Sequence, residues 1–279
     1  MPNFHHSFPN PQKIARFYAK IAVRSLYDEL ALYPKPGLVS FVDSGAHDDM
    51  DGVLFFRSLF GLRHYFFQVS LEAALNSSHQ LLVHQGQQAE QKMHRITGGI
   101  NTHRGAIFSL GILCTSVCKL STKHSSFSSK DLHLAIVDDW SEFLEKHHQN
   151  DNTHGSIVKQ KYAVPDAKKM AIEGYQLVFE IYHQLLEIQH DKLFFGLVAY
   201  QHLLLAMDDI NILYRTGFSG LEFARQQIKD LSLHNKEQAI QEAIDLHLLF
   251  SEKNISPGGV ADMLSVLYFL SYLFSGATR

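Results

Sequence analysis

The densest group of chemically active side chains lies between residues 33 and 51. Lys35 stands between two prolines, which hold it in a stiff, non-helical turn, and Gly37 follows directly. Lys35 and the exposed backbone amides around Gly37 would neutralise a phosphate group. His47 and four aspartates come next, and aspartate oxygens suit Mg²⁺ that bridges to substrate phosphates. The predicted magnesium ligands of this segment are Asp43, Asp48, Asp49 and Asp51.

Helix capping offers a plainer explanation for part of this group. Asp49 to Asp51 precede a helix predicted to begin at residue 53, and acidic residues at such a position satisfy backbone amides and favour the helix dipole. Capping accounts for one of the aspartates, but not for all four together with His47.

A second group surrounds two glycines that run into a helix. Gly98 and Gly99 precede Asn101, His103 and Arg104. Backbone amides at a helix start attract anions, and an arginine adds a bidentate phosphate donor. We therefore predict that Asn101, His103 and Arg104 bind substrate phosphate, although Asn101 would also serve as an ordinary N-cap.

A third group ends an apolar helix abruptly. Asp208 and Asp209 follow that helix, with Asn211 and Arg215 just beyond. Because the preceding run should be buried, we do not expect Asp209 to be a plain solvent charge. We predict that Asp209 binds a metal ion or ribose and that Asn211 and Arg215 contact the substrate.

Near the carboxyl terminus, a helix begins with two glycines. Gly258 and Gly259 permit close approach of a ligand or of a neighbouring helix, and packing alone explains them equally well. Asp262 lies inside the otherwise apolar helix, so we predict it to be a further metal ligand. A less specific group, residues 152–155 with Lys159 and Lys161 downstream, is explained equally well by a charged loop.

These groups need a helical scaffold, which the sequence predicts throughout. Apolar residues recur with helical spacing, and no segment shows the sustained alternation of a strand. The predicted helices span residues 12–32, 53–75, 79–93, 101–119, 132–148, 167–189, 192–207, 220–231, 236–253 and 258–273. We predict an all-α protein in which residues 1–279 form a single large multi-helical bundle domain. Residues 1–10 would be a flexible N-terminus, and the active site would lie at helix ends.

Glu29 stands out within the first of these helices. At 100° per residue it projects near the middle of the apolar face rather than among the charged residues. A buried carboxylate is costly unless it is paired, so Glu29 is a candidate site residue. The alternative is a frayed helix end at which Glu29 turns outward.

Composition and charge exclude several classes of protein. The formal net charge is −3, which provides no electrostatic footprint for nucleic acid or for an anionic membrane. Only two cysteines occur, Cys114 and Cys118, a usage that suits a reducing compartment. The first residues lack the pattern of a signal peptide, and the longest apolar stretch, residues 193–207, is too short to span a bilayer. We expect a cytoplasmic protein without nucleic-acid or membrane partners, and the sequence permits a homodimer.

The order and spacing of these groups resemble the triphosphoribosyl-dephospho-coenzyme A synthases. The resemblance runs from about Glu29 to Leu270 and depends on three motifs: PKPGLV followed by GAHDDMD, GGINTHRGAIFSLGILC, and NISPGGVADML. It implies that ATP is joined to 3′-dephospho-coenzyme A through the 2′-hydroxyl of the latter, with release of adenine. A separate transferase would then move the product onto an acyl carrier protein. The serine-containing form ending at Ser40 looks closer to the malonate decarboxylase branch than to the citrate lyase branch.

Such a reaction defines what the site residues must do. Displacement at an anomeric carbon builds positive charge on the ribose, so a nearby carboxylate stabilises the transition state, while the attacking hydroxyl needs a base. The triphosphate needs Mg²⁺ together with Lys35 and an arginine. We predict Asp49 and Asp209 as metal or ribose ligands, and His47 or Glu29 as the base.

Two departures from the family pattern keep other interpretations open. The family usually has an arginine and a glutamate where this chain has Lys168 and Met170, and it has a glycine in place of Thr216. A lysine is not equivalent to a bidentate arginine, and Met170 removes a carboxylate. The alternatives are a metal-dependent hydrolase of nucleotides or ADP-ribosyl groups, and a non-catalytic protein that binds coenzyme A derivatives.

Overall fold

The computed structural model describes residues 10–147, 157–158, 161–188 and 190–274 of the chain. Within these ranges the chain forms eleven helices and no strand, so the all-α prediction is confirmed. The helices are α1 Pro11–Ala31, α2 Gly52–Ala74, α3 His79–Thr97, α4 Arg104–Lys123, α5 Ser129–Lys146, α6 Ala167–Ile172, α7 Gln176–Gln184, α8 Lys192–Ala206, α9 Ile210–Lys229, α10 Lys236–Glu252 and α11 Gly258–Phe274.

Several helix starts are fixed by side chains that the sequence places there. Asn10 caps α1, with Pro11 at the first helical position, and Ser128 and Asp131 form a reciprocal capping box at the start of α5. Asn10 is the one residue of the predicted flexible N-terminus that lies within the described ranges.

The interior is built around α4 and α11, which are buried on nearly all sides. α1 packs along α2, α4 and α11, while α11 also contacts α7, α8 and α9. Every described helix contributes at least one buried side chain to one apolar cluster. By length and composition alone, α4 could cross a membrane, as could α8 and α9 taken together across their 64° bend. However, 72% of the apolar window of α4 is buried inside the fold, as in the core helices of water-soluble proteins.

Two predicted helices differ from the structure. The helix predicted for residues 167–189 is two helices, because Gly174 and Tyr175 adopt left-handed φ values of 61° and 57°. The helix predicted to begin at residue 220 begins at Ile210 instead and bends at Gly217, whose φ of 70° and ψ of −169° are not helical. Its true start was missed because Asp209, taken for a site residue, is its N-cap.

The fold brings several helix ends together. The carboxyl-terminal end of α1 leads into the 32–51 loop, and this loop runs past the amino-terminal ends of α4, α9 and α11. These are the places where the sequence concentrates its polar groups.

Candidate active site

A cleft that is open to solvent lies where these helix ends meet. Four of the five predicted groups and Glu29 contribute to its wall. The predicted site residues that line it are Glu29, His47, Asn101, His103, Arg104, Asn211, Arg215, Gly258 and Asp262. The structure therefore joins residues that are more than 200 positions apart in the sequence.

The floor of the cleft holds a buried ion pair. Glu29 is 4% exposed and Lys35 only 1%, so the prediction that Glu29 is buried and paired is confirmed. The Lys35 ammonium donates to Glu29 Oε1 and, at 2.7 Å, to the backbone carbonyl of the same residue. Burial raises the pKa of Glu29, and the ammonium of Lys35 opposes that rise. Burial lowers the pKa of Lys35, and the Glu29 carboxylate opposes that fall.

The turn that carries Lys35 is held in place by two residues that the sequence analysis missed, His247 and Tyr200. His247 Nδ1 lies 2.9 Å from the Lys35 carbonyl and must donate to it, while Nε2 lies 2.7 Å from Asp43 Oδ1. The Tyr200 hydroxyl donates to the Pro36 carbonyl over 2.7 Å. The only feature of the sequence that could have indicated this role is the position of His247 on the buried face of α10. That pattern is equally compatible with a histidine in an ordinary core.

Gly37 serves packing rather than an exposed anion cradle. It is buried, and with a φ of 73° a Cβ there would lie 2.0 Å from the Ile255 carbonyl oxygen. The expectation of exposed amides around Gly37 is wrong, because residues 34–40 are buried.

The aspartates of this loop do not converge. Asp43 contacts His247 and also accepts from the Gly45 amide over 2.8 Å, whereas Asp51 caps α2 by accepting from the Leu54 amide over 2.7 Å. Asp48 and Asp49 are exposed, and the Asp49 side chain, 62% exposed, lies 3.6 Å from His47 Nδ1. None of the four lines the cleft directly.

The buried side chain of Asp209 caps the starts of two helices. Its Oδ1 accepts from the amides of Asn211 and Ile212 at 2.9 and 3.0 Å, and Oδ2 accepts from the Val260 amide at 2.9 Å. The carboxylate therefore ties the starts of α9 and α11 together. Burial raises its pKa to about 6, against the opposing effect of the backbone hydrogen bonds.

The glycines at the start of α11 allow this arrangement. A Cβ at Gly259 would lie 2.9 Å from Asp209 Oδ2, and one at Gly258 would lie 2.5 Å from Asn211 Nδ2. Packing thus accounts for Gly259. Gly258 also lines the cleft, so its predicted contact with substrate stays a prediction.

Asp262 reaches the start of α4 from the opposite helix. A Cβ at Gly105 would lie 1.9 Å from Asp262 Oδ2, so only glycine leaves room for this carboxyl group. Burial raises the pKa of Asp262 well above its usual range, and the charges of Glu29 and Asp209 raise it further. The raised pKa disfavours the charged carboxylate that a magnesium ion requires.

His103 forms another part of the floor. It is the N-cap residue of α4 and is 3% exposed. Burial, and secondarily the charge of Lys35, lowers its pKa to about 3. His103 is therefore neutral near pH 7 and cannot supply positive charge to a phosphate.

The rim carries the accessible cations. Arg215 donates to the Ala46 carbonyl and to Asn254 Oδ1, and its Nη1 lies 3.4 Å from the ring of His47. Ser256 Oγ contacts His47 Nε2 at 2.7 Å. Burial and the nearby Arg215 lower the pKa of His47, and Asp49 opposes them.

Arg104, from the second group of residues, also lines the cleft. Its Nε lies 2.9 Å from Glu90 Oε1, and its side chain is 46% exposed. Asn101 Oδ1 accepts from the Arg104 amide over 3.1 Å, as an N-terminal cap does. The neighbouring glycines differ from their prediction: Gly98 is the left-handed cap that ends α3, and the Gly99 amide donates to the carbonyl of His94 in the same cap.

Among the described residues, no group of three or more His, Cys, Asp or Glu could hold a metal ion by itself. Mg²⁺, however, commonly uses one or two carboxylates and takes its other ligands from water and substrate phosphates. Asp48 and Asp49 fit that use, because both are exposed beside the cationic rim. The predicted ligands Asp43, Asp51 and Asp209 already have protein partners.

The family departures lie away from the cleft wall. Lys168 donates to the His147 carbonyl over 2.8 Å, and Met170 packs against the core. Thr216 donates to the Ile212 carbonyl within α9. The charged group at residues 152–155, together with Lys159, lies outside the described residues.

Comparison with known proteins gives one consistent result. A family described as ATP:dephospho-CoA triphosphoribosyl transferase matches residues 15–278. The chain is 32% identical to a probable 2-(5''-triphosphoribosyl)-3'-dephosphocoenzyme-A synthase of Acinetobacter calcoaceticus, over 90% of this chain and 88% of that protein. It is 31% identical to a protein of the same name from Citrobacter koseri, over 94% and 92% of the two chains.

Another relative is longer. The chain is 32% identical to Protein CitXG of Haemophilus influenzae over 89% of its own length, but it covers only 58% of that protein. No solved structure matches the chain.

Proposed function

The chain belongs to the family of ATP:dephospho-CoA triphosphoribosyl transferases, and we propose that its cleft joins ATP to 3′-dephospho-coenzyme A with release of adenine. The observation that carries this proposal is the buried Glu29–Lys35 pair beneath a rim of Arg104, Arg215 and His47. A negative group on the floor and positive groups on the rim match a substrate with an electron-poor ribose and an anionic triphosphate. The family assignment also favours a synthase over the hydrolase and the non-catalytic binding protein.

Glu29 is the proposed reacting carboxylate. The 2′-hydroxyl of dephospho-coenzyme A attacks the anomeric carbon of the ATP ribose, and the bond from that carbon to adenine breaks. Glu29 stabilises the positive charge on the ribose and accepts the hydroxyl proton. The raised pKa of Glu29 suits a base, and Lys35 holds its carboxylate in place.

The rim binds the triphosphate. Arg215 and Arg104 present guanidinium groups that suit phosphate oxygens, and both line the cleft. Asn211 and Asn101 add neutral polar groups beside them. The sequence analysis predicts that Lys35 binds phosphate, but in this proposal Lys35 instead holds the Glu29 carboxylate in place.

We further propose that Asp48 and Asp49 help to hold Mg²⁺ together with the triphosphate. The ion would neutralise charge on the phosphates. Removal of divalent metal with EDTA should abolish adenine release, and added Mg²⁺ should restore it. Asp49→Asn should then raise the Mg²⁺ concentration required for half-maximal activity, while Asp51→Asn, at the cap of α2, should not.

The first experiment is mass spectrometry of the purified chain incubated with ATP, Mg²⁺ and 3′-dephospho-coenzyme A. Adenine and a triphosphoribosylated coenzyme product, seen only with both substrates, support the proposal. Adenine without dephospho-coenzyme A would instead indicate the hydrolase. Neither compound, from folded protein, would indicate the binding protein.

A single substitution tests the role of Glu29. Glu29→Gln keeps the shape of the side chain but removes the base, so kcat should fall by about 10²- to 10⁴-fold. Glu142→Gln is the matched control, because the Glu142 side chain is 80% exposed on α5 and pairs with Lys146 of the same helix. Equal activity of the two variants would remove Glu29 from the mechanism.

The serine-containing motif that ends at Ser40 favours supply of malonate decarboxylase over citrate lyase. Deletion of the gene should then remove the prosthetic-group mass from the carrier subunit of malonate decarboxylase. Loss from citrate lyase alone would reverse this assignment. We also propose a cytoplasmic location, which suits two free, buried cysteine thiols and the two nucleotide substrates.

A further inference from the structure

His103 presents an unpaired nitrogen to the cleft. The residue is 3% exposed, and its Nε2 has no hydrogen-bond partner among the residues that the structure describes. Buried polar atoms in folded proteins nearly always have partners. Because His103 also lines the cleft, the missing partner of Nε2 is best supplied by a bound ligand.

The other side of the ring is fixed by two hydroxyl groups. His103 Nδ1 lies 2.9 Å from Ser58 Oγ and 3.1 Å from Thr102 Oγ1. Thr102 donates its hydroxyl proton to Ser58 Oγ over 2.7 Å, which leaves the Ser58 proton for Nδ1. Nδ1 therefore accepts a hydrogen bond, and in the neutral ring the hydrogen is then on Nε2.

The ring is also held in orientation by an aromatic contact. Phe55 packs edge-on against His103, with the ring centroids 5.0 Å apart. Phe55 lines the cleft together with the apolar side chains of Leu26 and Leu38. The Phe55 ring thus offers the ligand of His103 an apolar contact within the cleft.

His103 should bind a different part of the substrate from the rim arginines, because its ring is neutral whereas the guanidinium groups are charged. A neutral imidazole N–H is a good donor to an uncharged acceptor but adds no charge for a phosphate, whereas Arg104 and Arg215 do. Burial and the nearby Lys35 charge hold the pKa of His103 at about 3, so the ring stays a neutral donor at any working pH. Neutral histidine donors of lowered pKa are known in other enzymes.

We propose that His103 Nε2–H donates a hydrogen bond to a ring nitrogen, N3 or N7, of the adenine that leaves ATP. The inference rests on the proposed function and assigns the leaving-group contact within the same site. The bond between the ribose anomeric carbon and adenine N9 breaks, and its electron pair stays on adenine. His103 stabilises that charge without losing its own proton. The proton released by the attacking hydroxyl goes to Glu29 and leaves with adenine, so no net proton is gained or lost.

Deaza analogues of ATP test the contact directly. The turnover ratio of ATP to 3-deaza-ATP and of ATP to 7-deaza-ATP is measured for the wild type, His103→Phe and His103→Gln. For the analogue that lacks the contacted nitrogen, the wild-type ratio should exceed that of His103→Phe by about 10²-fold. This is the usual loss of rate when one hydrogen-bond donor to developing charge is removed. His103→Gln, which keeps an N–H group near the Nε2 position, should lie between them. Equal ratios in the wild type and in His103→Phe for both analogues would overturn the inference.

A spectroscopic measurement tests the same contact without turnover. In ¹⁵N spectra of the imidazole rings, the resonance lost in His103→Gln identifies His103 among the 18 histidines. The ¹⁵N shifts of His103 should show that the hydrogen is on Nε2 from pH 5 to 9, and the Nε2 resonance should move when ATP is added. Hydrogen on Nδ1, a charged ring, or no shift with saturating ATP would overturn the proposal.

The two proposals fail in different ways. If the wild type releases no adenine from ATP and dephospho-coenzyme A, the proposed function fails and the role of His103 falls with it. If the wild type turns over but the analogue ratios do not change in His103→Phe, only the role of His103 is lost.

Discussion

The floor and the rim of the cleft solve opposite physical problems. On the floor, Glu29, Lys35 and His103 are at least 96% buried, and burial is the main cause that moves the pKa of each from its ordinary value. On the rim, Arg104 and Arg215 are at least partly exposed. Arg104 pairs with Glu90, and Arg215 donates to the Ala46 carbonyl and to Asn254 Oδ1. Floor groups are thus fixed by folding itself, whereas rim groups can exchange their partners for substrate.

This difference indicates how the site divides its work. Desolvated groups interact strongly and reorganise little, which suits stabilisation of the reacting ribose and the leaving base. Exposed cations are screened by salt and solvent, which suits reversible capture of a triphosphate. Substitutions on the floor should therefore affect stability and kcat, while those on the rim should affect KM.

The largest expected effect is on stability, from breaking the floor pair. Lys35→Met leaves Glu29 buried without its partner, which should cost about 3–5 kcal/mol of unfolding free energy. The rim counterpart Arg104→Met breaks a partly exposed pair with Glu90 and should cost at most about 1 kcal/mol. Urea unfolding of the two variants measures both.

A double variant controls for lost packing. Lys35→Met combined with Glu29→Leu removes both charges, and stability should return to within about 1 kcal/mol of the wild type while activity stays lost. If the double variant were as unstable as Lys35→Met alone, an unpaired Glu29 would not be the cause.

Part of this site follows from the sequence. Helical spacing placed Glu29 on an apolar face, and a buried carboxylate requires a partner, so its burial was predictable. The turn that carries Lys35 supplies that partner six residues later. Helix ends were also predictable as the location of the site, because they carried the polar groups that the apolar helices could not bury.

The rest depends on contacts between distant segments. Asp209 and Asp51 resemble metal ligands in sequence, but the structure uses both as caps, since amides at helix starts compete for carboxylates. His247 is 212 positions from Lys35, so no local pattern joins them. The neutral state of His103 likewise depends on its burial and on Lys35, which only the folded chain brings near.

The second prediction concerns the pH dependence of stability, which should differ between a buried histidine of the floor and an exposed histidine. The pKa of His103 is about 3 in the folded protein and 6.5 as its ordinary value, so between these values the unfolded chain binds the additional proton. The stability contributed by neutral His103 is present above pH 6.5 and is lost as pH falls, by about 1.4 kcal/mol per pH unit. Between pH 6.5 and 5 the wild type should therefore lose about 2 kcal/mol more than His103→Gln.

His124 is the matched control for this prediction. It is exposed beyond the end of α4, so His124→Gln should lose stability with acid as the wild type does. Urea unfolding at both pH values measures the difference. An acid-induced loss in His103→Gln equal to that of the wild type would show that His103 is not buried in its neutral form.

The smallest expected effect belongs to the rim. Arg215→Ala removes a cation from the triphosphate position but leaves the floor intact, so KM for ATP should rise about tenfold, or about 1.4 kcal/mol, with a smaller change in kcat. Arg16→Ala, an exposed arginine on α1 outside the cleft wall, is the control and should change neither value. Added salt should raise KM in the wild type more than in Arg215→Ala, because salt screens the charge that the variant lacks. A kcat loss as large as that of Glu29→Gln with KM unchanged would instead place Arg215 among the groups that act only in the transition state, and the separation of floor from rim would fail.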